Sequence, residues 1–285
     1  MVRPMTFSTL IDGRTLSAHL EDPGFTVVDC RYNVQDPEWG AREYQKSHIS
    51  GAVFASVDDD LSGPKTGTNG RHPLPDPGRL TETLGRLGID NRTQVVVYDQ
   101  DAGMYASRLW WLLRWLGHDA CALLDGGFAK WAAEGRGVRS GTEVRPPRRF
   151  SGTPRPNHFV TAGDVGRAMA DGGHLLVDAR APERFRGDVE PVDKVAGRIA
   201  GAANLPYQSL VGDTGTLRPP SEIREGARQV FGDVPPERVI CYCGSGVTAC
   251  LDLLAFEHAG VRGVKLYPGS WSEWLSDPDR PIERG

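Results

Sequence analysis

The sequence predicts an α/β protein made of two tandem copies of one unit, each a mostly parallel sheet covered by helices on both faces. Three observations carry this. Short apolar runs alternate with helix-length segments, the pattern of strands joined by crossover helices. That order stops in a stretch crowded with Gly, Pro and Arg, then resumes. Residues also recur at a fixed spacing: Gly126 and Gly269, Trp131 and Trp274, and Gly103 and Gly246 each stand 143 positions apart. Asp29-Cys30-Arg31 returns as Asp178-Ala179-Arg180 at a spacing of 149.

In the first copy, a helical pattern over Arg14 to Leu20 precedes the β-branched strand Phe25-Thr26-Val27-Val28-Asp29. An amphipathic segment from Trp39 to Lys46 leads into His48-Ile49-Ser50-Gly51-Ala52-Val53, and a Gly/Pro/Asp-rich loop runs from Asp58 to Pro77. A helix over Gly78 to Leu87, the strand Gln94 to Tyr98, an apolar helix from Met104 to Leu116, a strand from Ala120 to Leu124 and a short helix from Phe128 to Ala133 follow. From Gly135 to Asn157 no periodicity survives, so a solvated connector is expected. The domain boundaries drawn on this basis are 1–137, a linker over 138–158, and 159–285. In the second copy, Thr161-Ala162-Gly163-Asp164 reads as a capping box opening a helix to Met169. A strand at Leu175 to Asp178, a helix from Ser221 to Val230 and a strand from Arg238 to Tyr242 lead to the loop Cys243-Gly244-Ser245-Gly246-Val247-Thr248, with a helix expected from Val247 to Ala259.

The bulk properties narrow the function. With 285 residues, 39% hydrophobic and 25% charged, the chain suits a globular protein with a real core. A net charge of −4 argues against a general binder of nucleic acid or anionic membrane. No apolar run approaches the length of a membrane span, and Met1 to Thr6 hold no apolar signal-peptide core, so export is not indicated. Five cysteines without regular spacing point to reduced thiols in a cytoplasm. Cys241, Cys243 and Cys250 lack a fourth ligand at metal-binding spacing, and no cofactor is called for.

Cys243 carries the chemistry. A cysteine between a strand end and a helix start, in a loop with two glycines, meets converging backbone N–H groups and the positive end of a helix dipole, both of which favour thiolate. The spacing of 143 places Gln100 opposite it, in Asp99-Gln100-Asp101-Ala102-Gly103, a loop with no nucleophile and two carboxylates that repel anions. The second copy is therefore the reactive one. Cys30, Cys121 and Cys250 read as core residues, and His48 as a turn-positioning group.

Three stretches carry a family resemblance: Tyr267-Pro268-Gly269-Ser270-Trp271-Ser272-Glu273-Trp274, Tyr44-Gln45-Lys46-Ser47-His48-Ile49-Ser50-Gly51-Ala52, and the Cys243 loop. With them the chain resembles the tandem-domain rhodanese-type sulfurtransferases, and most closely the branch acting on 3-mercaptopyruvate. The resemblance implies that the Cys243 thiolate takes a sulfur atom from the donor as a persulfide and passes it to cyanide, a small thiol or thioredoxin. It implies that Gly244, Gly246, Val247 and Thr248 offer backbone N–H groups to the anion, and that Arg184 binds the substrate carboxylate. It also implies a Ser245, His72 and Asp58 relay, with Asp178 and Arg180 bracing the site. A second arginine of the branch falls in Glu190-Pro191-Val192-Asp193-Lys194, where this chain has Asp193. Three rival readings stay open. The first is a thiosulfate:cyanide enzyme, disfavoured by the uncharged Gly244-Ser245 pair. The second is an inert sulfur-binding module. The third is a Cys-x5-Arg phosphatase, which lacks its arginine because Ala249 stands there.

Overall fold

The computed structural model describes residues 6–285. The expectation about export rests on a stretch that lies almost wholly outside the described residues. Two compact units make up the chain. One comprises the described residues to Leu61, Pro75–Arg155 and Asp213–Thr216; the other comprises Ser62–Leu74, Pro156–Gly212 and Leu217–Gly285. Segment 62–74, encoded within the first half, thus belongs to the second unit.

The first unit runs β1 (Leu10–Ile11), α1 (Gly13–Ser17), β2 (Phe25–Asp29), α2 (Trp39–Lys46), β3 (His48–Ile49), β4 (Val53–Phe54), α3 (Pro77–Arg86), β5 (Gln94–Tyr98), α4 (Ala106–Trp115), β6 (Cys121–Leu124), α5 (Gly127–Ala133) and β7 (Val138–Arg139). Its main sheet has the order β1-β6-β5-β2-β4, every pair parallel. All residues of β2 and β5 are buried, as a sheet covered on both faces requires. Alternate strand residues (Val27, Val96, Tyr98, Ala122, Leu124) meet Leu16 and Trp131 in one core. Helix α1 stops three residues before the sequence suggests. Helix α3 begins where Asp76 caps the N–H of Arg79 and Pro77 supplies a preset φ.

The second unit runs α6 (Ala162–Asp171), β8 (Leu175–Asp178), α7 (Pro182–Arg186), β9 (Arg198–Ile199), β10 (Ala203–Asn204), α8 (Pro220–Phe231), β11 (Val239–Tyr242), α9 (Ala249–His258), β12 (Lys265–Leu266), α10 (Ser270–Trp274) and β13 (Ile282–Glu283). Its sheet, β10-β8-β11-β12, is again parallel. The Thr161–Asp164 capping box forms as read from the sequence.

The expected connector is neither free nor wholly irregular. Strand β7 pairs antiparallel with β3, Phe150 is buried, and the Arg148 guanidinium donates to Thr93 and to the carbonyl of Pro23. Apolar and donor groups inside a Gly/Pro/Arg stretch find local partners that no periodicity announces.

The duplication reaches single hydrogen bonds. In both units an aspartate ending a strand holds an arginine two residues on: Arg31 donates to Asp29 at 2.7 Å and Arg180 to Asp178 at 2.6 Å. Each guanidinium also donates to a backbone carbonyl, of Ser47 or Gly197, and covers an aromatic ring, Phe128 or Trp271. Tyr98 and Tyr242 each accept an isoleucine N–H at the hydroxyl, from Ile49 and Ile199.

Candidate active site

Cys243 lies just past the carboxyl end of β11, where parallel α/β sheets place ligand loops. Its N–H donates to Ser270 Oγ at 3.1 Å, and its carbonyl accepts from Trp271 N at 3.0 Å. The Gly244 carbonyl accepts from Ser272 N at 2.9 Å. The motif beginning Tyr267-Pro268-Gly269 thus clamps the cysteine loop from the next strand. Ser270 does so in the left-handed region at φ 55°, where a side chain is strained. The Oγ that takes the Cys243 N–H also donates to the Tyr267 carbonyl at 2.9 Å. Gly246, at φ 72°, turns the loop so close to Pro268 that a Cβ there would lie 2.1 Å from the Pro268 carbonyl oxygen.

The helix begins at Ala249, two residues later than expected, which leaves Val247 and Thr248 in the loop ahead of α9. Among the described residues, the N–H groups of Gly244, Ser245, Val247 and Thr248 make no hydrogen bond. Cys243 itself is 2% exposed. Cys250, a core residue as expected, points its Sγ at the Gly246 carbonyl at 3.4 Å. Cys30 and Cys121 are buried as well.

The first unit shows what such a loop holds. Phe128 N donates to the Asp99 carbonyl and Ala129 N to that of Gln100, matching the two clamp bonds on Cys243 and Gly244. The residue opposite Cys243 is therefore Asp99, not Gln100 as the spacing suggests. The first loop carries one more residue before Gly103, so strand and helix follow different spacings. The Asp99 carboxylate is buried and accepts from the N–H groups of Asp101, Gly103, Tyr105 and Ala106 at 2.7–3.2 Å. Burial pushes its pKa up to about 6 against the lowering pull of those donors, so at neutral pH the loop encloses an anion. Where the second unit has a thiol, the first has its own carboxylate.

Ser245 is 7% exposed, and its Oγ lies 2.7 Å from His72 Nδ1. His72 reaches it because segment 62–74 folds onto this unit. Gly63 N donates to Pro73 O, Arg71 N to Ser272 Oγ at 3.0 Å, and Ser276 Oγ to Thr68 O at 3.0 Å. Asp58 lies in the first unit, where its carboxylate accepts from the Tyr32 hydroxyl at 2.8 Å. His48 is buried against Tyr44, with Nδ1 2.8 Å from the Tyr44 carbonyl, in the turn-positioning place expected for it.

Arg184, on α7, flanks the same loop; a Cβ on Gly244 would lie 3.7 Å from its Nη2 and 3.0 Å from Nη2 of Arg71. Two buried carboxylates hold these arginines. Glu190 accepts from Arg184 at 2.6 Å, from Arg180 at 3.3 Å, and from the N–H groups of Val192 and Asp193 at 3.0 Å. Burial raises the Glu190 carboxyl, and the Arg184 and backbone bonds reverse this to hold it below the usual glutamate range. Asp193 bridges Arg184 Nη2 at 3.3 Å and Arg71 Nη1 at 2.6 Å. Asp178 meets Arg180 side by side, accepting from Nε at 3.0 Å and from Nη2 at 2.6 Å. Arg71, Ser270 and Glu190 are the site residues that sequence reasoning missed. Ser270 lies inside a recognised motif and Glu190 opens the stretch singled out at Asp193, but neither role was read from them. No group of three or more His, Cys, Asp or Glu among the described residues is arranged to hold a metal ion.

The Rhodanese-like domain family matches residues 13–134 and again 161–277. A Pseudomonas aeruginosa protein named "Probable 3-mercaptopyruvate sulfurtransferase" is 43% identical over 283 residues, covering 99% of this chain and 100% of its own. A Mycobacterium tuberculosis protein named for thiosulfate sulfurtransferase activity is 39% identical, covering 91% of each chain. The crystal structure of an Escherichia coli 3-mercaptopyruvate enzyme superposes with a TM-score of 0.81 at 32% identity, covering 94% of this chain and 100% of that one.

Proposed function

Because the chain belongs to the rhodanese-like family in both of its halves, we propose that it is a sulfurtransferase whose donor is 3-mercaptopyruvate and whose carrier is Cys243. One observation supports this above the others. Cys243 stands beside the N–H groups of Gly244, Ser245, Val247 and Thr248, which have no acceptor among the described residues, at the place where the first unit encloses the Asp99 anion.

In the first step the Cys243 thiolate attacks the donor sulfur. An S–S bond forms from the thiolate pair, the C–S bond breaks, and its electrons leave as the enolate of pyruvate. The donor's thiol proton ends on the methyl carbon of pyruvate, so no outside acid is consumed and the persulfide stays anionic. The Ser245 hydroxyl, beside the His72 imidazole, is placed to pass that proton. The N–H groups of Gly244 to Thr248 stabilise the persulfide anion. In the second step cyanide, a small thiol or thioredoxin attacks the outer sulfur, the S–S bond breaks and the Cys243 thiolate returns.

The charge balance favours a singly charged donor. Arg71, Arg180 and Arg184 face Asp178, Glu190 and Asp193, so the site holds no excess positive charge for the thiosulfate dianion. The name of the Mycobacterium tuberculosis relative keeps thiosulfate as the second reading. No helix among the described residues is long and apolar enough to cross a membrane, and buried free thiols suit a reducing cytoplasm. Measuring kcat/KM for 3-mercaptopyruvate and for thiosulfate with cyanide as acceptor decides the donor. The expected result is a large preference for 3-mercaptopyruvate, and the reverse preference overturns the assignment.

A further inference from the structure

We propose that the first unit carries a ligand site of its own, for a small organic monoanion with a compact apolar body, under the connector that follows β7. The site goes beyond the sulfur-transfer reading and does not depend on it.

The connector is fastened at two places and stands over a cavity between them. Toward its start three bonds tie it to α2. Gly141 N donates to the Gln45 carbonyl at 2.8 Å, Gln45 Nε2 to Thr142 Oγ1 at 2.8 Å, and Glu143 N to the Tyr44 hydroxyl at 3.0 Å. Further on, Arg148 N donates to the carbonyl of Gly85, in the last turn of α3, at 2.9 Å. Between these ties the end of α3, α2 and β4 leave a cavity of about 360 Å³, at the small end of ligand pockets. Its walls are apolar: Tyr44 and Phe54, with ring centroids 5.5 Å apart, and Val53 and Leu87 beside them. At its edge Val144 is 83% exposed.

One polar group on this wall has no answer. Arg145 lines the cavity, is half-buried, and makes no hydrogen bond or ion pair among the described residues. Its stem is set by the close pass of Gly88, where a Cβ would lie 2.8 Å from Arg145 Cβ. The other charges at the cavity are taken: Arg86 pairs with Asp60, and the Glu143 carboxylate accepts from Arg139 at 3.3 Å. Burial pulls the Arg145 pKa down, Arg148 adds to the pull and Glu143 opposes it. A guanidinium keeps its proton regardless, so the cavity presents one unanswered positive charge with reduced hydration. A carboxylate meets that charge fork to fork, and an attached ring covers Tyr44, Phe54 and Val144. An inorganic anion would answer the charge and leave the walls bare, and a neutral ligand would leave the charge.

Ligand-observed NMR titration of the full chain with 3-phenylpropanoate tests the site, with 3-phenylpropanamide and inorganic phosphate alongside. Saturable binding of 3-phenylpropanoate is expected at about 0.1–1 mM, about tenfold or more tighter than either comparator. Arg145→Ala should weaken it about ten- to a hundredfold, and Arg145→Lys less, because a point charge lacks the fork. Ala41→Leu fills the cavity from α2 without touching the charge and should abolish binding, with turnover unchanged. The same affinity should be found in an Arg184→Ala background, where a carboxylate loses its arginine beside the cysteine loop. No saturation by about 10 mM overturns the proposal. So does a folded Arg145→Ala protein that binds as the wild type does, or binding lost in Arg184→Ala instead. Phosphate or the amide binding as tightly as 3-phenylpropanoate overturns the assigned ligand class.

Discussion

Replacing Gly246 by alanine separates loop geometry from ordinary backbone cost. At φ 72° an L-residue pays a left-handed cost of about 1–2 kcal/mol. The added methyl would also lie 2.1 Å from the Pro268 carbonyl oxygen and 2.7 Å from its carbonyl carbon. Those are backbone atoms that cannot swing aside, and relieving such overpacking costs about 1–3 kcal/mol more. The sum, about 2–5 kcal/mol, lowers the melting temperature by roughly 5–15 °C for a unit of this size. Relief must come from moving the loop, and a shift of about 1 Å at a reacting atom costs on the order of a hundredfold in rate. Gly260 is the control: φ is 81° and nothing lies within 4 Å of a Cβ there. Gly260→Ala should cost about 1–2 kcal/mol and leave kcat/KM unchanged. Thermal unfolding and kcat/KM of the two variants, side by side, give the answer. A Gly246→Ala protein as stable and as active as Gly260→Ala would refute the claim that the Pro268 contact sets the cysteine loop.

Ser270→Ala removes the oxygen that takes the Cys243 N–H while keeping the strained φ. It should lose about 1–2 kcal/mol in unfolding experiments, and Ser270→Gly less, because the strain is relieved. His72→Ala should lower kcat for 3-mercaptopyruvate by about a hundredfold with KM little changed; intact turnover removes His72 from the relay. Asp99 should make the stability pH-dependent in a definite direction. Its folded pKa of about 6 lies above the unfolded value near 3.9, so the folded state binds the extra proton. Its contribution is complete below about pH 4 and is lost as pH rises through 6, a span of about 3 kcal/mol. Denaturant midpoints of the wild type and of Asp99→Asn, compared from pH 4 to 7, should diverge with the wild type falling; parallel curves would contradict the assignment.

What the sequence made legible divides along physical lines. The strands Phe25–Asp29, Gln94–Tyr98 and Leu175–Asp178 match because β-branched runs between turn residues have few alternatives. The Thr161 cap matches because a capping box is a local, four-residue device. The Asp99 correspondence failed for want of one loop residue, since a single spacing cannot describe both the strand and the helix around an insertion. Arg71 escaped notice because its partner Asp193 is 122 residues away, and the His72 contact to Ser245 spans 173. Nothing in the Gly/Pro/Asp-rich composition of segment 62–74 says which unit it joins. Ser270 was visible as a motif member, but its φ and the bond it offers Cys243 are properties of the assembled turn.

The account stands or falls on Cys243 as the sulfur carrier. Mixing the protein with one equivalent of 3-mercaptopyruvate and no acceptor, followed by peptide mass spectrometry, tests it most directly. The prediction is one added sulfur atom on the peptide containing Cys243, with one equivalent of pyruvate released and neither seen in Cys243→Ser. Sulfur found on Cys250 or Cys241 instead, or pyruvate released undiminished by Cys243→Ser, would contradict it.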